Sequence, residues 1–105
     1  MIQIKQGASI RGLTPQMTIA LFIATAIFES HSLDCVLTEG TGSKHGRGSL
    51  HYVGLAIDLR IKHSPESLWG LIKTEIESAL GAEFDVVLET SIKGSEHIHI
   101  EFQPK

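Results

Sequence analysis

Two segments in which apolar and polar residues alternate constrain the fold of this chain more than any other feature. In residues 55–61 the apolar side consists of Leu55, Ile57, Leu59 and Ile61, and the other side of Ala56, Asp58 and Arg60. In residues 97–102 the apolar side consists of Ile98, Ile100 and Phe102, and the other side includes His97 and His99. Because successive side chains of a strand point to opposite faces, both segments are predicted to be strands with one face in the core. If they belong to one sheet, Asp58, His97 and His99 share its open face.

Two helices are indicated by their start signals. Thr14 is predicted to cap a helix over residues 15–30, with a proline in its first turn. Ser64 is predicted to cap a second helix that ends at Gly81. Further strands are predicted at residues 2–4, 34–38 and 84–89, and a glycine-rich loop at residues 39–49. This order predicts an α+β domain in which two helices pack on one face of a small antiparallel sheet.

Length and charge argue against several classes of protein. A chain of 105 residues predicts a single domain over residues 1–105. A formal net charge of −3 argues against a nucleic-acid-binding surface, which needs a concentrated basic face. The most apolar stretch, residues 17–28, is too short to cross a bilayer. It also lies too far from a basic N-terminus to be an export signal. We expect a monomer that is synthesised in the cytoplasm and is not inserted in a membrane.

The polar side of the two strands carries the most specific chemistry in the chain. His51 and Asp58, read with Glu96 and His99, supply two imidazoles, one carboxylate and a further acid. Three protein ligands with an open position and a base nearby are typical of a catalytic zinc site. An uninterrupted strand would place His51 and Asp58 on opposite faces, so the chain is predicted to bend between them at Gly54. Glu96 is likewise out of phase with the histidine side of its strand, which predicts a position at the mouth of that strand.

The same residues form a spaced motif that resembles a known family. The motif reads Ser49-x-His51-x-x-Gly54-x-Ala56-x-Asp58, followed by Glu96-x-x-His99. It is similar to that of the zinc peptidases of the D-alanyl-D-alanine carboxypeptidase and dipeptidase type, whose fold is shared with the Hedgehog signalling domain and with phage endolysins. The resemblance implies that His51, Asp58 and His99 bind Zn²⁺ on the open face of the sheet. It also implies that Glu96 is the catalytic base.

Four neighbouring residues are predicted to bind substrate or to support the site: His45, Arg47, Ser49 and His97. Arg47, with Arg60 as the alternative, would stabilise an oxyanion or bind a substrate carboxylate. Ser49 would hydrogen-bond to the site. The pair His97-x-His99 is similar to the paired histidines of related murein endopeptidases.

The resemblance implies a zinc metallopeptidase that cleaves peptidoglycan stem peptides as an endopeptidase or a carboxypeptidase. The resemblance, together with the small size and the lack of an export signal, predicts a phage or prophage lysis enzyme, which reaches the cell wall after release from the host cytoplasm. Two alternatives are a non-catalytic, Hedgehog-like zinc-containing binding module and a soluble D,D-dipeptidase. Glu96 favours an enzyme over a binding module, because a structural zinc site does not require a base beside it.

Overall fold

A computed structural model describes residues 1–42, 50–51 and 53–104 as a small α+β domain with a five-stranded sheet and two α-helices. The elements follow one another as β1 (Ile2–Ile4), α1 (Pro15–Ser30), β2 (Cys35–Glu39), β3 (Ala56–Arg60), a 3₁₀ turn (Glu66–Leu68), α2 (Trp69–Leu80), β4 (Phe84–Glu89) and β5 (His97–Phe102). The predicted α+β class and the predicted strands and helices are confirmed, with ends that differ by a few residues.

The sheet has the strand order β1-β2-β3-β5-β4 and is mixed. The neighbours β2 and β3, β3 and β5, and β4 and β5 are antiparallel, but β1 runs parallel to β2. The predicted antiparallel sheet is therefore confirmed for three of its four strand pairs and wrong at the β1 edge. The physical reason is the connection: α1 lies between β1 and β2 in the chain and carries it back to the start of the sheet, as in other parallel crossovers.

The two helices begin in different ways. At the start of α1 the hydroxyl oxygen of Thr14 accepts a hydrogen bond from the amide of Met17 at 3.3 Å, which confirms the predicted cap. The predicted cap of the second helix is wrong. The Ser64 hydroxyl donates to the carbonyl oxygen of Ile61 at 2.6 Å, and a 3₁₀ turn precedes the first residue of α2, Trp69. Gly81 ends α2 with φ +87°, which a glycine adopts without strain.

One core fills the space between the two helices and one face of the sheet. Its fully buried side chains include Met17, Phe28, Leu37, Ile57, Leu59, Ile72, Ile76, Ile98 and Ile100. The alternation predicted for β3 and β5 is confirmed, since Ile57, Leu59, Ile98 and Ile100 all lie in this core. Asp58 and His99 take the intervening positions on the other face. Within the described residues, no helix is long and apolar enough to cross a membrane.

Candidate metal centre

A tight turn anchored on the first helix positions His51. The amide of Gly54 donates to the carbonyl oxygen of His51 at 3.2 Å, and Gly54 has φ +75°. The carbonyl oxygen of Gly54 accepts two hydrogen bonds from Thr14, one from the amide at 3.1 Å and one from the hydroxyl at 3.0 Å. A Cβ at position 54 would lie 2.2 Å from the carbonyl oxygen of Gly12, so only glycine fits here. The bend predicted at Gly54 is confirmed.

Asp58 and His99 are brought together by the register of the central strands. They are directly paired across the antiparallel strands β3 and β5, and their side chains lie on the same face. The Nδ1 atom of His99 lies 2.8 Å from Oδ1 of Asp58. Because directly opposed side chains in an antiparallel pair lie about 5 Å apart at Cβ, this contact follows from the ladder itself.

His51, Asp58 and His99 form a group that could hold a metal ion, the metal group of this protein. One ligand atom from each lies within 4.8 Å of the others. The Nε2 atom of His51 lies 3.6 Å from Oδ1 of Asp58, which is an ion-pair distance rather than a hydrogen bond. His51 and Asp58 are buried and His99 is half-buried, so the group is less open than the sequence predicts. Two imidazoles and one carboxylate are a donor set that suits transition-metal ions.

The remaining ring nitrogens of both histidines face hydrogen-bond acceptors. His51 Nδ1 lies 3.0 Å from the carbonyl oxygen of Gly40, and His99 Nε2 lies 2.7 Å from Oε1 of Glu101. The side-chain amide (Nε2) of Gln103 donates to Oε2 of Glu101 at 2.7 Å and holds that carboxylate in place. Such acceptors orient an imidazole and direct its other nitrogen toward a metal. The two nitrogen atoms that face Asp58, Nε2 of His51 and Nδ1 of His99, are therefore the ones that could bind a metal ion.

Glu101 is the site residue that the sequence analysis missed. It lies two residues after His99 on β5, so its side chain is on the same face as the histidine. The alternation of residues 97–102 contains this signal, because the positions that do not face the core are 97, 99 and 101. The spaced motif drew attention to the residues before His99 and not to those after it.

The charges of the group shift the pKa values of its members. Burial alone would raise the pKa of Asp58, but the contacts with His51 and His99 and the nearby imidazole of His97 hold it well below its ordinary value. The hydrogen bond to Asp58 raises the pKa of His99 to about 9; burial opposes this and Glu101 adds to it. Burial lowers the pKa of His51, yet Asp58 and the Gly40 carbonyl outweigh it, so that the net change is upward. Without a metal, Asp58 therefore favours the protonated form of both histidines, and most strongly that of His99.

Glu96 and His97 lie beside the metal group, in a cleft that Asp58 also lines. Oε1 of Glu96 accepts a hydrogen bond from the amide of Gly94 at 3.0 Å. The backbone amides of Glu96 itself and of Gly94 hold the pKa of this carboxyl below its ordinary value. His97 Nε2 lies 3.8 Å from Oδ2 of Asp58, and its Nδ1 lies 2.8 Å from the carbonyl oxygen of Ser95. Glu96 is thus at the mouth of β5, as predicted, and its role as a base stays a prediction.

Three predicted site residues, His45, Arg47 and Ser49, lie outside the described residues. No protein-family model and no curated protein sequence matches this chain. The assignment of the site therefore depends on the residues themselves and on their geometry.

Proposed function

We propose that this protein is a zinc-dependent peptidase that hydrolyses amide bonds in the stem peptides of peptidoglycan. One observation carries the proposal: ligand atoms of His51, Asp58 and His99, which come from a turn and two strands, lie within 4.8 Å of one another. The motif that contains these residues, with Glu96 three residues before the last of them, resembles that of peptidoglycan-cleaving zinc peptidases. Asp58 also lines a cleft, which gives a substrate access to one side of the group.

Zinc fits this donor set better than calcium or magnesium, which prefer all-oxygen sites. Two imidazoles and one carboxylate are three protein ligands, the number found in catalytic zinc sites. When bound, zinc lowers the pKa of water and polarises a carbonyl group. The acceptors of the outer ring nitrogens, Gly40 and Glu101, support the same proposal because they hold the two histidines as metal ligands.

In this proposal Glu96 accepts a proton in the cleft and returns it to the leaving amine. At neutral pH a glutamate side chain is ionised, which is the form that can accept a proton. The amide of Gly94 fixes one of its oxygens. His97, whose Nε2 atom lies 3.8 Å from Oδ2 of Asp58, orients the substrate or the Asp58 carboxylate.

The biological role proposed with this activity is that of a phage or prophage lysis enzyme acting on the cell wall as an endopeptidase or carboxypeptidase. The two alternatives are a non-catalytic zinc-containing binding module and a soluble D,D-dipeptidase. The position of Glu96 in a cleft beside the metal group favours an enzyme over the module. Hydrolysis assays with each substrate distinguish between polymeric cell wall and a free dipeptide.

The proposal is tested by incubating the purified protein with peptidoglycan, with muropeptides and with D-alanyl-D-alanine, and by identifying the products by mass spectrometry. We expect peptide-bond cleavage in the first two that stops when zinc is removed and returns when zinc is added. Glu96→Gln should keep zinc and lower turnover by roughly 10²–10⁴, the usual contribution of a general base. Glu83→Gln, the same change at an exposed position away from the cleft, is the control and should be fully active.

Each result separates the candidate functions. Cleavage of D-alanyl-D-alanine alone would support the dipeptidase. Stoichiometric zinc without hydrolysis of any of the three substrates would support the binding module and overturn the proposed peptidase. Loss of zinc from Glu96→Gln would make Glu96 a ligand rather than a base.

A further inference from the structure

The cleft beside the metal group has a basic side. Lys5, Arg60 and Lys62 line it together with Asp58 and His97. Arg60 lies two residues after Asp58 on β3, so the two side chains leave the strand on the same face, roughly 7 Å apart along the chain. Lys5 comes from the other end of the sequence, directly after β1. The sheet therefore brings two cations that are distant in the sequence to a cleft that Asp58, one residue of the metal group, also lines.

Lys5 and Arg60 have no acidic partner among the described residues. The Nε atom of Arg60 is buried and has no hydrogen-bond partner there. Lys62 is different, because its ammonium group donates to the carbonyl oxygen of Gly94 at 2.8 Å. A buried guanidinium nitrogen without an acceptor is costly and is found in native proteins mainly where a water, an ion or a ligand supplies the acceptor.

The acids that line the same cleft are engaged elsewhere. Asp58 contacts the two histidines of the metal group, and Glu96 accepts from the amide of Gly94. Glu39, the third acid, has interactions of its own. The cleft thus contains positive charge that its own carboxylates do not neutralise by direct contact, next to a group proposed to bind a divalent cation.

We propose that Lys5 and Arg60 form a subsite that binds a free carboxylate of the substrate. This inference deepens the proposed function and depends on it for the identity of the substrate, a peptide with a carboxylate one or two residues from the bond that is cut. An arginine and a lysine are suited to this task, because a guanidinium group can bind both oxygens of a carboxylate and an ammonium group adds a point charge. The subsite selects peptides with a free acid over peptides in which that acid is amidated.

The subsite is tested by binding, without any hydrolysis. N-acetyl-D-alanine and its amide, N-acetyl-D-alaninamide, are titrated separately into the protein as purified, and amide chemical shifts are followed by NMR. We expect the acid to bind about tenfold more tightly than the amide, with shifts at residues that line the cleft, because one charge-assisted contact is of this size. Raising the salt concentration should reduce the preference.

Variants locate the binding. Lys5→Gln and Arg60→Gln should each lower the ratio of the affinities for the acid and the amide toward one. Lys93→Gln, at an exposed position outside the cleft, should keep the wild-type ratio. If Arg60→Gln does not fold, Lys5→Gln decides, because Lys5 is exposed and its loss leaves the core intact. Equal preference in wild type, Lys5→Gln and Arg60→Gln would mean that the carboxylate binds elsewhere, for example on the metal, and would overturn the subsite.

The outcome is distinguishable from that of the proposed function. If wild type hydrolyses no stem peptide but prefers the acid in a manner that depends on Lys5 and Arg60, the peptidase fails and the subsite stands. If stem peptides are cleaved in a manner that depends on Glu96, but acid and amide bind equally, the subsite fails and the peptidase stands.

Discussion

Asp58 and His99 are directly opposite each other in the antiparallel pair of β3 and β5, and their side chains meet at 2.8 Å. The sheet therefore aligns two of the three residues of the metal group before any ion binds. A slip of one residue in this register would move one of the two side chains to the core face. The apolar residues on either side, Ile57 and Ile98 among them, make such a slip costly because they would leave the core.

We expect one zinc ion per chain, bound by the metal group. Replacing His51, Asp58 or His99 by alanine removes one of three ligands and should abolish stoichiometric zinc. His31→Ala is the matched control, because His31 pairs with Glu75 at 2.6 Å outside the metal group. Metal analysis of protein purified without chelators measures the content. Full zinc in Asp58→Ala would show that the metal lies elsewhere.

Glu101→Gln should weaken zinc binding by roughly 10–100-fold, the usual effect of losing a carboxylate behind a histidine ligand. The glutamine can still contact His99 and Gln103, so the melting temperature of the metal-free protein should change little. Competition with a chromogenic chelator gives the zinc affinity. Glu89→Gln, at an exposed position on the neighbouring strand β4, should bind zinc as wild type does. Unchanged affinity in Glu101→Gln would remove Glu101 from the site.

The metal-free protein should lose stability as the pH rises from about 6.5 to 9. The pKa of His99 is raised to about 9 by Asp58, so its stabilising contribution is complete below the unfolded value near 6.5 and is lost as the pH passes through the folded value. The lowered pKa of Asp58 has the opposite sign, with a contribution present above about 3.9 and lost as the pH falls.

Zinc should reverse the alkaline part of this dependence. Binding requires neutral histidines, so the metal affinity rises with pH over the interval in which the metal-free protein weakens. The difference in melting temperature between zinc-loaded and chelator-treated protein should therefore widen from pH 6 to pH 9 at constant ionic strength. Asp58→Asn, which lacks the charge that raises the pKa of His99, should flatten the metal-free curve. A melting temperature of chelated wild type that stays constant over this range would contradict the assigned cause.

Gly54→Ala should be strongly destabilising, by about 2 kcal/mol or more. An alanine at φ +75° is strained, and its Cβ would lie 2.2 Å from the carbonyl oxygen of Gly12, which is backbone and cannot yield easily. Chemical denaturation measures the change. Gly70→Ala is the matched control: nothing lies within 4 Å of the new Cβ, and the position is in α2, so stability should rise by roughly 0.5–1 kcal/mol. Equal stability of the two variants would contradict the tight turn.

The strands could be predicted because they depend on local alternation, and the grouping of His51, Asp58 and His99 because the spaced motif resembles that of zinc peptidases. Alternation places Asp58 and His99 on one face, and the need for a bend selects Gly54. The parallel pairing of β1 with β2 could not be predicted, since pairing direction depends on how α1 crosses the sheet and not on residues 2–4 themselves. The cap at Ser64 was wrong because α2 begins five residues later, at Trp69, after a 3₁₀ turn, so that no helix amide is placed to donate to this hydroxyl.

Contacts between distant residues account for the rest. Lys5 reaches the cleft only through the pairing of β1 with β2, so no spacing in the sequence connects it with Arg60. The acceptor for Nδ1 of His51 is the backbone carbonyl oxygen of Gly40. Every residue has such a carbonyl group, so the sequence does not indicate which one faces the histidine. Glu101, by contrast, could be predicted, because alternation along β5 places it on the same face as His99.

The two hydrogen bonds from Thr14 to the carbonyl oxygen of Gly54 give the start of α1 a second task. Thr14, which caps α1, also holds Gly54, forty positions further along the chain, at the end of the turn that presents His51. Two contacts thus constrain the number of residues between His51 and Asp58. The pairing of β3 fixes Asp58, and the hydrogen bonds from Thr14 at the start of α1 fix Gly54. An insertion or deletion in this stretch would disturb both the packing at the start of α1 and the position of His51 in the metal group. The length of the stretch is therefore constrained by the fold as well as by the site.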